Sequence, residues 1–269
     1  KLDVPREETF VSNRVRHAIR SHIVSWVRPD GTFAARKLEA FSDQGAYASH
    51  GHSICAKGVG AFPQLYPCDN IEADGYTVFT NKPAAGAMRG YGIPQAMWAV
   101  ECHTDDVAAK IGMDPIVFRR KNLMPVGFKD EFSKNELYSD TFNQCMDKGM
   151  AAMDYERKYK KYQNQTGDIR RGIGMSVFWY NTAVWPISLE TSSCRMVLNQ
   201  DGSLQVQLGE TEIGQGADTA YSQMTADILG VPLEAVHVVS CQDTDITPTG
   251  LGAYASRQTY VAGFSIRQT

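Results

Sequence analysis

The chain has 269 residues, of which 43% are hydrophobic and 21% charged, a balance typical of a globular protein with a substantial core. Its net charge is −3, and no basic block of the kind that binds nucleic acid is present. No apolar run approaches the roughly 20 residues of a membrane span. The six cysteines form no CxxC pair, which argues against a zinc ribbon or an iron–sulfur site in this sequence and favours a cytoplasmic protein with reduced thiols.

The first half of the sequence predicts a hairpin followed by helices. Strand-like runs at 19–27 and 32–41 flank Asp30-Gly31, and Asp-Gly between alternating runs is a strong hairpin signal. A glycine loop follows at 42–47, and a strand is predicted at 70–80. The other predicted elements are helices, at 52–62, 94–111, 115–123 and 142–162.

The second half repeats this order. Runs at 191–198 and 203–208 flank Asp201-Gly202, and a glycine loop and a helix at 218–229 come next. Two further strands are predicted at 172–179 and 236–240.

Two copies of hairpin, loop and helix predict an α+β fold of two related lobes with mixed sheets, unless the two hairpins share a common turn by chance. The polar segment 163–168 places the boundary between lobes of residues 1–163 and 164–269.

Three glycine loops carry most of the chemical information: GAMRGYGIPQ at 86–95, ETEIGQG at 210–216 and GLGAYASRQ at 250–258. Glycine allows positive φ and lets backbone N–H groups approach a ligand closely. Arg89 adds a fork of donors and Tyr91 an aromatic wall. This chemistry suits a bulky anionic ligand held mainly by backbone, and the alternative for each loop is a tight structural turn.

The second loop precedes a predicted helix. Gln215 and Gly216 are expected at or just before the helix N-terminus, with Asp218 or Thr219 as capping residues. Free N–H groups at such an end attract phosphate.

The three loops in this order resemble the molybdenum-binding subunit of the xanthine dehydrogenase and aldehyde oxidase family of molybdenum hydroxylases. The segments DPIVFRRKNL at 114–123 and REETF at 6–10 also resemble that family, and the resemblance runs through almost the whole chain. It implies a molybdenum-dependent oxidoreductase that hydroxylates a purine, another N-heterocycle or an aldehyde, with water as the oxygen source. It also implies a molybdenum–molybdopterin cofactor, with or without a cytosine dinucleotide tail.

The resemblance assigns roles to residues in the loops. Arg89 and Ala255 would approach the molybdenum–pterin site through their main-chain N–H groups, and Gln215 and Gly216 would lie beside the pterin. The contacts to the pterin and its phosphate would come from the third loop, at Ala253, Tyr254, Ser256, Arg257 and Gln258.

Three further residues are implied as the substrate wall. Tyr91 stands where purine-oxidising relatives place a stacking phenylalanine, and Trp185 lies near another wall position. Lys57 falls where those relatives place a purine-binding arginine, but a lysine is a point charge and cannot reproduce a planar bidentate grip. A purine is therefore only one of the substrates that the sequence allows, and Lys57 as a surface lysine or Tyr91 as a core aromatic are the alternatives.

Two parts of the family's site are missing from this sequence. A glutamine–phenylalanine–glycine loop is expected before residue 1, and the general-base glutamate is expected after residue 269. Glu210 and Glu212 are expected to be structural, so no catalytic residue is assigned here. We therefore expect a fragment or a piece of a split large subunit that is inactive alone.

The expected partners are the rest of that subunit, iron–sulfur and FAD-containing chains or domains, and a small substrate, with neither nucleic acid nor membrane. Two other functions stay open. A non-catalytic scaffold of the same fold would lack molybdenum and pterin, and a same-family enzyme could instead be an aromatic thioester reductase or a nicotinate-type hydroxylase.

Overall fold

The computed structural model describes residues 3–131, 134, 136–139, 141–184, 190–239, 243 and 245–269. The chain divides into two compact units, Lys1–Tyr180 and Asn181–Thr269. Each combines helices with a small mixed sheet, which confirms the predicted α+β class. Across the described residues, no helix has both the length and the apolar character needed to cross a bilayer.

The first unit is built on a three-stranded sheet. Its elements are α1 (Arg6–Ser12), β1 (Ala18–Val27), β2 (Phe33–Asp43), α2 (Gly51–Leu65), β3 (Asn70–Val78), α3 (Ile93–Lys110), α4 (Pro115–Asn122), α5 (Phe142–Met153) and α6 (Tyr155–Lys161). β1 pairs antiparallel with β2, and β3 pairs parallel with β2 on its other side. The Asp30 carboxylate accepts the Thr32 N–H at 2.9 Å and closes the predicted hairpin turn.

The second unit has the same order of strands and helix. Its elements are β4 (Cys194–Leu198), β5 (Leu204–Leu208), α7 (Ala217–Leu229), β6 (Val236–Val238) and α8 (Gln258–Gln268). β4 and β5 form an antiparallel hairpin, and β6 is parallel to β5. Asp201 accepts the Ser203 N–H at 2.9 Å, as Asp30 does in the first turn. Both units therefore contain the predicted hairpin, loop and helix, each followed by a parallel strand.

The core of the first unit lies between one face of its sheet and the helices. Alternate residues of β2, such as Leu38 and Ala40, are buried against α2 and α3. The guanidinium of Arg36 is also buried, 4.1 Å above the Phe62 ring, and it donates to the carbonyl of Tyr66 at 2.7 Å. Burial lowers the pKa of Arg36 to about 10.

The carboxylate of Glu101, on α3, connects four segments of this core. It accepts hydrogen bonds from the Tyr66 hydroxyl at 2.5 Å, the Arg119 Nε at 2.9 Å and the Val177 N–H at 2.7 Å. Glu101 and Arg119 are both buried, and Arg119 also pairs with Asp105 at 2.6 Å. The end of α2, α4 and the segment around Val177 are thereby attached to α3.

The segment 172–179 is not a strand, and that prediction was wrong. Its alternating pattern is real, since Val177 is buried and Ile173 and Met175 pack on the first core. However, the Val177 N–H donates to the Glu101 carboxylate instead of a neighbouring strand. The predicted lobe boundary after residue 163 lies before this segment, within the first compact unit, and it stays a prediction about the lobes.

The predicted helix 142–162 is divided into α5 and α6. Asp154 separates them with φ 52°, a left-handed conformation that ends the first helix. Its carboxylate pairs with Arg157 of α6. The strand predicted at 236–240 is observed as Val236–Val238, and residue 240 lies outside the described residues.

We expect Glu101→Gln to lower the free energy of unfolding by about 3 kcal/mol, because it leaves the buried Arg119 charge with only the partly exposed Asp105. Urea denaturation measures the change. Glu72→Gln is the matched control, since Glu72 pairs with Lys37 in solvent, and we expect a loss below about 1 kcal/mol. Equal losses in the two variants would contradict the central role of Glu101.

A second prediction concerns Asp43, at the end of β2. Hydrogen bonds from Lys82, Thr80 and the Gly45 N–H lower its pKa from 3.8 to about 2. A pKa lowered by folding stabilises the protein above pH 4, and the stabilisation is lost as the pH falls towards 2. In urea titrations, the difference in the free energy of unfolding between the wild type and Asp43→Asn should therefore become smaller as the pH falls from 5 to 2.5. For the exposed control Asp74→Asn, the difference from the wild type should stay the same over this pH range. If the difference for Asp43→Asn also stays the same, the prediction is wrong.

Candidate functional site

The arginine loop connects β3 to α3 in the first unit. Gly92 immediately precedes α3 with φ 93°, and a Cβ there would lie 2.4 Å from the backbone oxygen of Ile54 in α2. A Cβ on Gly58 of α2 would in turn lie 3.2 Å from the Gly92 oxygen. These two glycines are thus required for the close packing of α2 against α3, which is a structural reason the sequence alone did not provide.

Arg89 presents its backbone from a tight turn in this loop. Its carbonyl accepts the Arg16 guanidinium at 2.6 Å, while its own side chain is exposed. Among the described residues, none accepts a hydrogen bond from the Arg89 N–H. Tyr91 donates its N–H to the Met88 carbonyl at 2.8 Å with φ 48°, a left-handed conformation that is costly for a bulky residue.

Two of the predicted substrate residues lie in one group of side chains, the Lys57 cluster, made of His50, Lys57, Tyr91 and Tyr180. The Tyr91 hydroxyl is 2.7 Å from the Nδ1 atom of His50, and the Lys57 Nζ atom is 5.4 Å from the centre of the Tyr180 ring. Burial lowers the pKa of Lys57. Burial, and secondarily the Tyr91 phenol, raise the pKa of Tyr180. The cluster therefore combines a partly desolvated amine with two aromatic faces.

Tyr180 was missed by sequence reasoning. It follows the stretch read as a strand, and no motif marked it. The pattern that could have found it is the aromatic run of Phe178, Trp179 and Tyr180 immediately after the buried Val177. Trp185, the third predicted substrate residue, lies outside the described residues.

The other two loops meet in the second unit. A Cβ on Gly250 would lie 2.4 Å from the backbone of Gly209, and a Cβ on Gly209 would lie 2.2 Å from the Gly250 nitrogen. No other residue type fits at either position without displacing the partner backbone. The loops of residues 210–216 and 250–258 are therefore held side by side by direct backbone contact.

Glutamine side chains extend this contact. The Gln215 amide donates to the Gln258 side-chain oxygen, and both Nε2 atoms donate to the Thr211 carbonyl, at 3.1 Å and 2.6 Å. The Gln215 oxygen accepts the Ile213 N–H at 2.7 Å. Gln215 and Gln258, both predicted cofactor residues, thus form one hydrogen-bonded pair that joins the two loops.

Glu212, rather than Asp218 or Thr219, caps α7. Its carboxylate accepts the N–H groups of Gly214 at 2.5 Å and Gly216 at 3.2 Å, just before the helix, and that of Asp218 in the first turn at 3.4 Å. Partial burial raises the pKa of Glu212, but hydrogen bonds from the backbone N–H groups outweigh it, so the pKa is lowered. The prediction of a side-chain cap from within the helix was wrong, because a carboxylate of the preceding loop reaches these amides first.

Arg257 lies inside the second unit. Its fully buried guanidinium pairs with Glu190 at 2.5 Å and with the buried Glu210 at 3.1 Å, and it donates to the Gly252 carbonyl at 3.3 Å. Its side chain is committed to these internal partners, so contact with a ligand is left to the main chain. The pairing with Arg257 is consistent with the structural role expected for Glu210, which stays a prediction.

The backbone of the third loop is held in an unusual conformation. Ala255 and Ser256 have φ of 52° and 53°, and the Ala255 carbonyl accepts the Ala183 N–H at 2.7 Å. Within the described part of the chain, no acceptor bonds to the N–H of Ala255 or Ser256. Tyr254 and Ser256 are exposed, and Ala253 is half-buried. Consecutive residues with positive φ and unbonded N–H groups favour an anionic ligand.

Comparison with known proteins gives a consistent assignment. Two family models, each described as a molybdopterin cofactor-binding domain, match residues 1–123 and 148–269. The chain is 43% identical to the xanthine dehydrogenase molybdenum-binding subunit of Escherichia coli O157:H7, aligning 99% of this chain with 36% of that protein. It is 31% identical to the aldehyde oxidoreductase of Megalodesulfovibrio gigas, over 89% of this chain and 26% of that protein.

Solved structures agree with the sequence matches. The aldehyde oxidoreductase of Desulfovibrio desulfuricans superposes with a TM-score of 0.79 at 27% identity, over 97% of this chain and 29% of that one. Quinoline 2-oxidoreductase of Pseudomonas putida 86 superposes with a TM-score of 0.79 at 25% identity, over 98% of this chain and 35% of that one. The chain spans about a third of the length of the first curated relatives it matches. It carries two molybdopterin cofactor-binding domains and belongs to the xanthine dehydrogenase and aldehyde oxidase family of molybdenum hydroxylases.

Proposed function

We propose that this chain is part of the molybdopterin-binding subunit of a xanthine dehydrogenase-like hydroxylase. Its substrate is a purine, another N-heterocycle or an aldehyde, and water supplies the oxygen. The observation that carries the proposal is the backbone contact of Gly209 with Gly250, which brings together two glycine loops, one of which carries the Ala255 and Ser256 N–H groups that have no acceptor among the described residues.

The residues present fit a molybdopterin. Such a group needs many N–H donors and few side-chain ligands, and among the described residues the second unit offers the N–H groups of Ala255 and Ser256, in a loop that the Gln215–Gln258 pair holds in place. The N-terminus of α7 is already neutralised by Glu212. We therefore assign the anionic tail of the cofactor, with or without a nucleotide, to residues 253–258 rather than to that helix end.

The bound cofactor supplies the redox chemistry and the activation of water. In our proposal the chain's own residues bind and orient: Ala255 and Arg89 through their main-chain N–H groups, and Tyr91 with Lys57 and Trp185 at the substrate. No general base is assigned to this chain, and electrons leave through iron–sulfur and FAD groups on partner chains or domains. The free cysteines of the described residues suit a cytoplasmic enzyme.

The protein that contains this chain should copurify with molybdenum and with a pterin that becomes fluorescent after oxidation. Gly250→Ala should lower both contents about tenfold or more, since its Cβ would push the two loops apart. Gly60→Ala is the control, because a Cβ there meets nothing within 4 Å. Circular dichroism verifies that each variant folds. Wild-type protein without molybdenum and pterin would sink the proposal in favour of a scaffold.

The Lys57 cluster provides a test of the substrate assignment. Lys57→Met should raise KM for an N-heterocycle about tenfold and leave kcat within about twofold, because it removes a contact made equally in the ground and transition states. Lys110→Met, at the exposed end of α3, is the control. Steady-state kinetics of the complete enzyme measure both variants. Identical KM values for the two would exclude Lys57 from the substrate site.

A further inference from the structure

A short segment before β1 runs beside the arginine loop. Val15 and Ala85 form an isolated parallel bridge, in which the Val15 N–H donates to the Ala84 carbonyl at 3.2 Å and the Gly86 N–H donates to the Val15 carbonyl at 3.0 Å. A Cβ on Gly86 would lie 2.4 Å from the Arg14 side chain, so the two segments are packed closely. The start of the arginine loop is therefore fixed by residues 14–17.

Arg16 extends this contact to the tip of the loop. Its Nη2 atom donates to the Arg89 carbonyl at 2.6 Å, and its Nη1 atom lies 3.5 Å from the Gln95 side-chain oxygen. The Gln95 amide donates back to the His17 carbonyl at 2.9 Å. A charged donor at 2.6 Å makes a strong hydrogen bond, and the half-buried side chain is less screened than one in open solvent.

The base of this arrangement is rigid. His17 is buried, with 2% of its surface exposed, and its Nδ1 atom is 3.0 Å from the Ser42 hydroxyl in β2. Arg16 therefore projects from a backbone anchored in the sheet. Its guanidinium holds the loop against a fixed position instead of moving with it.

Two peptide planes determine where the Arg89 N–H points. That N–H shares a plane with the Met88 carbonyl, which accepts the Tyr91 N–H at 2.8 Å. The Arg89 carbonyl belongs to the next plane, which Arg16 holds. With both planes fixed, the dihedral angles of Arg89 cannot change without breaking one of these bonds. The turn also contains Tyr91 in a strained conformation with positive φ, so contacts from outside the turn are needed to stabilise it.

We propose that Arg16 is a positioning residue that locks the Arg89–Gly90 peptide so that the Arg89 N–H stays available to the cofactor. The statement that the Arg89 N–H serves the cofactor, which is the cofactor half of this inference, rests on the proposed function. The statement that Arg16 fixes the loop rests only on contacts within the first unit. Arg16 touches neither cofactor nor substrate. It acts through the backbone of Arg89, which its guanidinium holds in place.

The test compares Arg16→Gln, Arg16→Lys and the exposed control Arg20→Gln in the complete protein. Hydrogen–deuterium exchange of residues 86–92 reports the loop, and molybdenum and pterin contents report the cofactor. Arg16→Gln should speed exchange about tenfold or more and lower both contents by a similar factor, since it removes a hydrogen bond from a charged donor. Arg16→Lys, which keeps one charged donor, should fall between the wild type and Arg16→Gln. Melting temperatures should match that of Arg20→Gln.

The outcomes separate the two proposals. Wild-type protein that carries molybdenum and pterin, with exchange and contents in Arg16→Gln equal to those in Arg20→Gln, overturns the role of Arg16. Wild-type protein without either group overturns the proposed function and the cofactor half of this inference, while exchange in the variants still decides whether Arg16 holds the loop. If Arg16→Gln does not fold, the comparison is made with Arg16→Lys instead. Hydrogen exchange in the loop of Arg16→Lys that is no faster than in Arg20→Gln would then contradict the inference.

Discussion

The buried carboxylate of Glu101 is the constraint on which the first unit depends. It is away from water, so its charge has to be balanced by protein groups, and it takes hydrogen bonds from Tyr66, Arg119 and Val177. These residues come from different parts of the sequence. One side chain thus sets the relative positions of α2, α3, α4 and the segment that leads to Tyr180.

This constraint reaches the candidate substrate site. Lys57 lies on α2, which ends immediately before Tyr66, and Tyr180 lies three residues beyond Val177. Glu101 therefore holds the end of the helix that carries Lys57 and the start of the segment that carries Tyr180, and the Lys57 amine lies 5.4 Å from the Tyr180 ring centre. The second unit uses the same physics. Arg257 is buried between Glu190 and Glu210, which attaches the third glycine loop to two other segments of this unit.

The sequence was sufficient for the features that depend on local pattern. Asp30 and Asp201 marked both hairpins, because each side chain closes its own turn, and the pattern located α2, α3, α4 and α7 but not α8. It failed where a distant partner decided the outcome. The alternation in 172–179 predicted a strand, but Val177 bonds to Glu101. The burial of the Arg257 side chain between two carboxylates was likewise not predicted, and the cofactor contact of that residue stays a prediction. Neither partner is visible in a local window.

The capping of α7 by Glu212 has a consequence for how such a protein is made. A helix end that gathers several N–H groups and waits for an external anion would leave the newly synthesised chain incomplete. Here the internal Glu212 carboxylate accepts the N–H groups of Gly214, Gly216 and Asp218, so this end of α7 needs no external anion in order to form. Formation of this helix can then precede the binding of any anionic ligand.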